Sequence, residues 1–288
     1  LNNTDYSRST TMIRVRFHQA ALAALVLATA LPAQAHKLWL LPSHTTVSEP
    51  QWITVDASIS NEIFGFERAY PVDGLQVTGP DGKPATVDNA TKMHTRSVFD
   101  VQLEQEGSYR ISVAQPGYFV SYKVDGERQR SRGKDADKLL AELPKDATDV
   151  KLLEVLNRLE TYATLGAPNK TGLKPTGKGL ELELLTHPND LYAGETAQWK
   201  LLLDGKAAAG IKVELVPGGT RYRDSQENWT VTSDDKGIVN IQWPAAGRYF
   251  LEAGTGDKNV SNPKAAERYL QYLGTVEAVS YTHLTLPT

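Results

Sequence analysis

The chain has 288 residues, of which 31 are Lys or Arg and 34 are Asp or Glu, so its formal net charge is -3. This near balance excludes the broad basic surface that nucleic-acid-binding proteins present. The sequence contains no cysteine, so disulfides and thiolate ligands are excluded, and any metal site must use His, Asp, Glu, Met or backbone groups.

Residues 1–35 are predicted to be an upstream extension and a cleaved signal peptide. After Met12, two arginines precede an apolar segment, Ala20–Leu31, that is too short to span a bilayer. Ala33 and Ala35 then form a small-x-small cleavage site. We therefore expect a periplasmic protein, and the mature chain has no further apolar run of membrane-spanning length.

Cleavage after Ala35 would make His36 the first residue of the mature protein. The α-amine and the imidazole Nδ1 of an N-terminal histidine can chelate one metal ion, and both are nitrogen donors that suit copper, nickel, cobalt and zinc. The pattern therefore predicts a metal chelate at His36. The alternative is that the residue after the cleavage site is arbitrary.

The first block, residues 36–127, has the short alternating runs of β-strands, separated by Gly, Pro, Asn and Asp. Strands are predicted at residues 52–60, 74–78, 96–103, 109–113 and 118–124. In the first of these, Trp52 and Thr54 lie on one face and Ile53 and Val55 on the other. These strands predict an N-terminal β-sandwich.

Residues 128–178 differ in composition and are predicted to be a linker that contains a short helix. The helix is predicted from Asp135 to Leu143, because Pro144 ends it. Leucines at helical spacing favour a second helix from Val150, but the same stretch to Leu165 also fits a strand. The sequence leaves both readings open.

The second block, residues 179–278, repeats the pattern of the first. Residues 99–113 align without gaps with residues 239–253, and Gly107-x-Tyr109 falls on Gly247-x-Tyr249. This repeat predicts an all-β protein of two tandem antiparallel β-sandwich (Ig-like) domains joined by a partly helical linker. One larger jelly roll is the alternative. Residues 279–288 resemble translated adapter sequence and are expected to lie outside the native chain.

Four histidines remain after both ends are removed. His187 lies in a turn made rigid by the following Pro-Asn-Asp sequence, where it is placed to be a ligand or a hydrogen-bond donor beside one. His44 follows the first strand at the matching place in the first block. His94 lies in a loop. His94 and His44 are the weaker candidates for metal ligands. A surface role without ligand is the alternative for each of them.

No known catalytic motif is present in the sequence, so no catalytic residue is predicted. Core packing is expected for Trp52, Trp199 and Trp243. The polar, aromatic loop Arg221–Asp224 could contact a ligand or partner, and a solvated turn explains it equally well.

Several groups of residues together resemble the exported proteins of a domain-of-unknown-function family, number 4198: His36-x-x-Trp39-Leu40-x-Pro42, Ser121-Tyr122-Lys123-x-Asp125-Gly126, Gly179-Leu180-Glu181-Leu182, Thr186-His187-Pro188-Asn189-Asp190-Leu191, Gly194-Glu195 and Leu202-x-Asp204-Gly205-Lys206. The resemblance implies an all-β tandem sandwich and a periplasmic component of nickel or cobalt uptake. Carried over by motif, it implies His36 and His187 as metal ligands and a membrane metal transporter as partner.

Three functional hypotheses follow. The first is a periplasmic accessory protein that binds copper, nickel or cobalt through His36 and His187. The second is a metal-free ligand-binding or scaffold module of the cell envelope. The third is a copper monooxygenase built on an N-terminal histidine, which ranks last because no substrate surface is evident.

Overall fold

A computed structural model describes residues 36–280 of the chain. The predicted signal peptide and cleavage site lie outside the described residues, as does most of the predicted adapter segment. The strands are β1 (Lys37–Pro42), β2 (Thr46–Val47), β3 (Gln51–Ser60), β4 (Arg68–Ala69), β5 (Leu75–Thr78), β6 (Val87–Lys92), β7 (Ser97–Leu103), β8 (Gly107–Val124), β9 (Glu127–Gly133), β10 (Thr148–Leu165), β11 (Leu180–Glu183), β12 (Thr196–Leu203), β13 (Lys206–Ala207), β14 (Lys212–Pro217), β15 (Trp229–Thr232), β16 (Ile238–Gln242), β17 (Gly247–Asp257) and β18 (Glu267–Ala278). One α-helix, α1 (Ala136–Ala141), and two short 3-10 helices, Thr171–Leu173 and Thr220–Tyr222, complete the described elements.

The predicted all-β class is confirmed. A front sheet has the order β1-β3-β7-β6, with β4 also on β3. A central sheet of nine strands has the order β15-β14-β17-β18-β10-β8-β5, with β2 on β10 and β9 on β8. A back sheet contains β11, β12 and β13, with β16 on the other side of β12. In the described part of the chain no helix is long and apolar enough to cross a membrane.

The central sheet packs against a different sheet on each of its faces. On β10, Leu159 and Ala163 belong to the core shared with the front sheet, which includes Phe99. Tyr162, one residue out of phase, belongs to the core shared with the back sheet, which includes Trp199. Because successive side chains of a strand point to opposite faces, the three sheets form three layers.

The segment predicted as a linker instead contributes β10, an interior strand of the central sheet. Within residues 128–178 the short helix α1 is confirmed, with Asp135 as its N-cap, but β10 pairs antiparallel with β8 and parallel with β18. Residues 158–165 of β10 are all buried, so the strand lacks the alternation that would have identified it. Two separate tandem domains are not confirmed, since one sheet runs through both blocks.

The repeat reflects a shared structural feature in the two blocks. The Tyr109 hydroxyl donates to the carbonyl oxygen of Gln105 at 3.0 Å, four residues earlier. The Tyr249 hydroxyl donates to the carbonyl oxygen of Ala245 at 2.6 Å, again four residues earlier. Such a tyrosine corner is a feature of Ig-like sandwiches. Both blocks of the three-layer fold therefore contain this Ig-like feature.

Two of the three tryptophans expected in the core are there. Trp199 and Trp243 are fully buried between the central and back sheets. Trp52 is 45% exposed, so the core assignment was wrong for this residue. It lies on the outer face of the front sheet with Thr54, while Ile53 and Val55, predicted on the opposite face from Trp52, are the buried pair.

Candidate functional site

His36 immediately precedes β1 and is exposed. The register of β1 and β3 pairs Lys37 with Ser60, so His36 lies beside Asn61. The His36 Nδ1 atom is 2.6 Å from Asn61 Oδ1. Asn61 is held by Glu67, which accepts the Asn61 backbone N–H at 3.1 Å and lies 3.4 Å from its side-chain Nδ2. Together His36, Asn61 and Glu67 form what we call the β1 site.

The β1 site offers an unusual set of donors. The imidazole Nδ1 donates to an amide oxygen at the surface, so a metal ion here would take the place of this hydrogen, and a carboxylate adds negative charge next to them. Among residues 36–280, no three His, Cys, Asp or Glu side chains converge on one point. A transition metal here would therefore need the α-amine of His36 in addition to the side chains.

His187 is buried, and both of its ring nitrogens are engaged. Its Nδ1 accepts the backbone N–H of Asn189 at 3.1 Å, so Nδ1 carries no proton. The proton of the neutral ring is then on Nε2, which lies 2.8 Å from Ser108 Oγ and 3.2 Å from the carbonyl oxygen of Asn169. Burial lowers the pKa of His187, which favours this neutral form.

The pairing of Ser108 with His187 resembles a nucleophile and its base, but its hydrogen bonding is the reverse of what catalysis needs. A general base must present an unprotonated nitrogen to the hydroxyl, whereas Nε2 carries the proton here. Ser108 is also fully buried, and its hydroxyl contacts Thr164 Oγ1 at 2.9 Å. His187 therefore joins the turn after β11 to the beginning of β8 and the end of β10.

The structure does not bring His36 and His187 together. His36 precedes β1. Just beyond the other end of β1, Thr46 of β2 pairs with Thr164, whose hydroxyl contacts Ser108, the hydrogen-bond partner of His187. The six residues of β1 span about 20 Å. The other two candidates are separate again. His44 is exposed with Nδ1 3.1 Å from Ser43 Oγ, and His94 lies in the exposed turn between β6 and β7.

Next to His36, Lys37 joins the front sheet to the central sheet, a contact that could not be predicted from the sequence. Its Nζ is 2.6 Å from Glu214 Oε2 and 2.5 Å from Glu252 Oε2. Burial lowers the pKa of Lys37, but the two carboxylates outweigh this and the pKa is raised. The ammonium group therefore stays charged and fixes the beginning of β1 over β14 and β17.

An open cleft of about 950 Å³ lies between the loop after β14 and the corner before β17. Trp229, Tyr249 and Phe64 supply aromatic side chains to its walls. Arg223, from the polar loop noted in the sequence, donates to the carbonyl oxygens of Pro217 and Gly218 and pairs with Glu227, so it orders the cleft wall. Phe64 comes from the same loop, residues 61–67, that supplies Asn61 and Glu67 to the β1 site.

Comparisons with known proteins find distant likenesses among solved structures and no match among curated proteins. The D0-D1 domain of intimin is 11% identical, with 83% of this chain and 96% of that chain covered and a TM-score of 0.22. The adhesin FdeC of Escherichia coli is 10% identical, with 86% and 64% covered and a TM-score of 0.21. The adhesin InvE of Yersinia pseudotuberculosis is 14% identical, with 84% and 58% covered and a TM-score of 0.19.

The sequence profile of one family agrees with the motifs found in the sequence. It matches residues 33–257, which include the segments that begin at His36, Ser121, Gly179 and Leu202. The chain belongs to the family described as Domain of unknown function (DUF4198).

Proposed function

We propose that this protein is an exported accessory protein that binds a divalent transition metal ion in the periplasm and passes it to a membrane transporter. The metal ion is held at the β1 site. The observation that supports this proposal is the 2.6 Å approach of His36 Nδ1 to Asn61 Oδ1 at an exposed position.

The chemistry of the site fits a transition metal that is loaded and released. Cleavage before His36 would add an α-amine to the imidazole nitrogen and the Asn61 oxygen. Nitrogen donors favour copper, nickel and cobalt, and copper binds most tightly in the Irving–Williams order. Glu67 orients Asn61 and adds negative charge, which is the role of groups that support a metal ligand. Exposure lets a transporter reach the ion directly.

His187 is not part of this proposal. Both of its ring nitrogens already have partners within the fold, and it lies near the opposite end of β1 from His36. The proposal therefore predicts that the metal affinity depends on His36 and Asn61 and is independent of the other histidines.

The test compares two forms of the mature protein, one beginning at His36 and one with a single glycine before it. Isothermal titration of each metal-free form with Cu²⁺ and with Ni²⁺ measures the affinity. We expect the added glycine and the Asn61→Ala variant each to weaken binding roughly tenfold or more. His44→Ala is the matched control, because it removes an exposed histidine at the other end of β1, and it should leave the affinity unchanged. Equal affinity in the forms with and without glycine would refute the chelate.

A second candidate function is a metal-free ligand-binding module of the envelope. The observation that favours it is the aromatic cleft of about 950 Å³ lined by Phe64, Trp229 and Tyr249, a size typical of small-molecule sites. Absence of bound metal after exposure to equimolar Cu²⁺ or Ni²⁺, together with ligand binding that is lost in Trp229→Ala, would favour this function.

A further inference from the structure

Strand β9 forms a hairpin with β8 and lies at the edge of the central sheet. The turn between them is Asp125-Gly126, with φ angles of 51° and 81°. Positive φ at both positions, with Val124 paired to Glu127, is a two-residue type I′ turn. Among the described residues, β9 pairs with β8 alone. The outer edge of β9 is therefore free.

The turn type fixes which backbone groups of β9 face outward. In a two-residue hairpin the residues that flank the turn, Val124 and Glu127, form a hydrogen-bonded pair. Hydrogen-bonded and non-hydrogen-bonded pairs then alternate along an antiparallel ladder. Counting from Glu127, the N–H and C=O groups of Arg128, Arg130 and Arg132 point away from β8, to the free edge.

The same three arginines share one face of the sheet. They pair with Lys123, Ser121 and Phe119 of β8, respectively. The Arg128 guanidinium contacts Asp149 and Ser121 and is already neutralised. Arg130 and Arg132 are exposed and have no hydrogen bond or ion pair through their side chains within the described residues.

Nearby residues extend the positive charge of this face. Lys151 of β10 pairs with Ser121 on the other side of β8 and is also exposed. Phe119, 39% exposed, lies between Arg132 and Leu153. A chain whose net charge is -3 thus concentrates unpaired cations beside a free strand edge.

We propose that β9 is a docking site for an extended acidic segment of another polypeptide, which adds to the central sheet as an antiparallel strand. The backbone of the segment would pair with the outward N–H and C=O groups of Arg128, Arg130 and Arg132. In such pairs the side chains of the two partners lie on the same face and interact. The segment should therefore carry Asp or Glu at alternate positions, opposite Arg130 and Arg132.

The charge pattern also selects against a second copy of β9. Antiparallel pairing of two β9 strands would place arginines opposite arginines, which is unfavourable. Charged side chains on an edge strand are a common protection against such pairing. Two β9 strands are therefore not expected to pair with each other, whereas a strand of opposite charge can pair with β9.

The first test uses a fluorescein-labelled synthetic peptide, Thr-Glu-Val-Glu-Thr-Glu-Val, and measures its binding by fluorescence anisotropy. Two versions are N-methylated, one on the amides of the glutamates and one on the amides of the residues between them. Only the glutamate amides face β9 in the proposed register, so we expect the first version to lose binding at least about tenfold and the second to retain it. Equal binding by both versions would overturn the proposal.

The second test changes the protein. Arg130→Ala removes one side chain, and Arg130→Pro removes the side chain together with the outward N–H, at a position where β8 needs no hydrogen bond from β9. We expect weaker peptide binding in Arg130→Ala and still weaker binding in Arg130→Pro, with thermal melts close to wild type. If both variants bind equally, or if a peptide with its three glutamates in one block binds as tightly as the alternating peptide, the site attracts anions without strand addition and the proposal fails.

Discussion

Tyr162 and Tyr272 form a buried hydrogen-bonded chain that ends on a carboxylate, at the junction of β10 and β18. The Tyr162 hydroxyl donates to Glu160 Oε2 at 2.8 Å, and the two hydroxyls are 2.9 Å apart. Because a hydroxyl has one proton, Tyr162 must accept from Tyr272. Burial raises the pKa of both tyrosines well above the usual value, so both remain donors at neutral pH.

This direction makes two chemically identical substitutions unequal. Tyr272→Phe removes one bond between neutral groups, which costs about 1 kcal/mol of unfolding free energy. Tyr162→Phe removes a bond to a carboxylate, worth roughly 1.5–3 kcal/mol, and with it the bond between the two hydroxyls. We therefore expect Tyr162→Phe to be more destabilising by about 1–2 kcal/mol. Adding Tyr272→Phe to Tyr162→Phe should cost little more, because Tyr162→Phe has already broken the bond between the two hydroxyls.

Equilibrium urea unfolding at pH 7 measures these differences, followed both by tryptophan fluorescence and by circular dichroism. Trp199 and Trp243 lie in the same core as the two tyrosines and report its loss. Coincident transitions by the two signals are required before the free energies are compared. Equal costs for the two single substitutions, or a double variant whose cost is their sum, would show that the chain does not run from Tyr272 through Tyr162 to Glu160.

Two further predictions concern the repeat and the buried histidine. A Cβ at Gly107 would lie 2.6 Å from Pro80 Cβ and 2.8 Å from Asn169 Nδ2, whereas a Cβ at Gly247 meets nothing within 4 Å. Both glycines have positive φ, so Gly107→Ala should lower the melting temperature more than Gly247→Ala, by the equivalent of about 2 kcal/mol; equal shifts would contradict the packing argument. Folding lowers the pKa of His187 from its ordinary value of 6.5. As the pH falls, the unfolded state therefore binds a proton at this histidine before the folded state does, and the free energy of unfolding decreases below about pH 6.5. The His187→Asn variant should lose less stability than wild type between pH 7 and 5 in urea unfolding, and identical pH dependence would contradict this assignment.

The repeat was the part of the fold that the sequence predicted best. Gly-x-Tyr carries a strong local signal, since the tyrosine hydroxyl bonds to a carbonyl four residues back within the same segment. The paired strands also match in register: Leu75 pairs with Val113 as Val213 pairs with Ala253. Features determined by a local sequence motif could therefore be predicted from one sequence.

Features that depend on contacts between residues distant in sequence could not be predicted. β10 pairs with β18 more than 100 residues away, and its burial on both faces removes the alternation that marks a strand. The environment of His187 depends in the same way on Ser108 and Asn169. His36 was predicted as a metal ligand from a cleavage pattern, but its hydrogen-bond partner Asn61 and the neighbouring Glu67 become visible only when β1 pairs with β3.

His44 and His187 occupy matching positions in the two blocks but differ in environment. Ser43 donates its backbone N–H to Thr54, and Thr186 donates to Gln198 at the matching step of the second copy. The histidine that follows is exposed in the first block and buried in the second, where its Nε2 lies 2.8 Å from Ser108 Oγ at the beginning of β8. Matching positions thus face solvent in the first block and contact β8 in the second.

The connections between matching strands differ in length between the two blocks. β3 and β4 are joined by residues 61–67, which carry Asn61, Phe64 and Glu67, whereas the corresponding β12 and β13 are joined by Asp204-Gly205 alone. β8 is followed by β9 and α1 before the sheet resumes at β10, whereas a loop alone joins β17 to β18. The longer connections add residues beyond those that join the matching strands of the second block, and loops on a rigid scaffold are where binding residues concentrate. Asn61 and Glu67 of the β1 site and the free edge of β9 all lie in these longer connections, which is the physical reason to test them before any residue of the shared core.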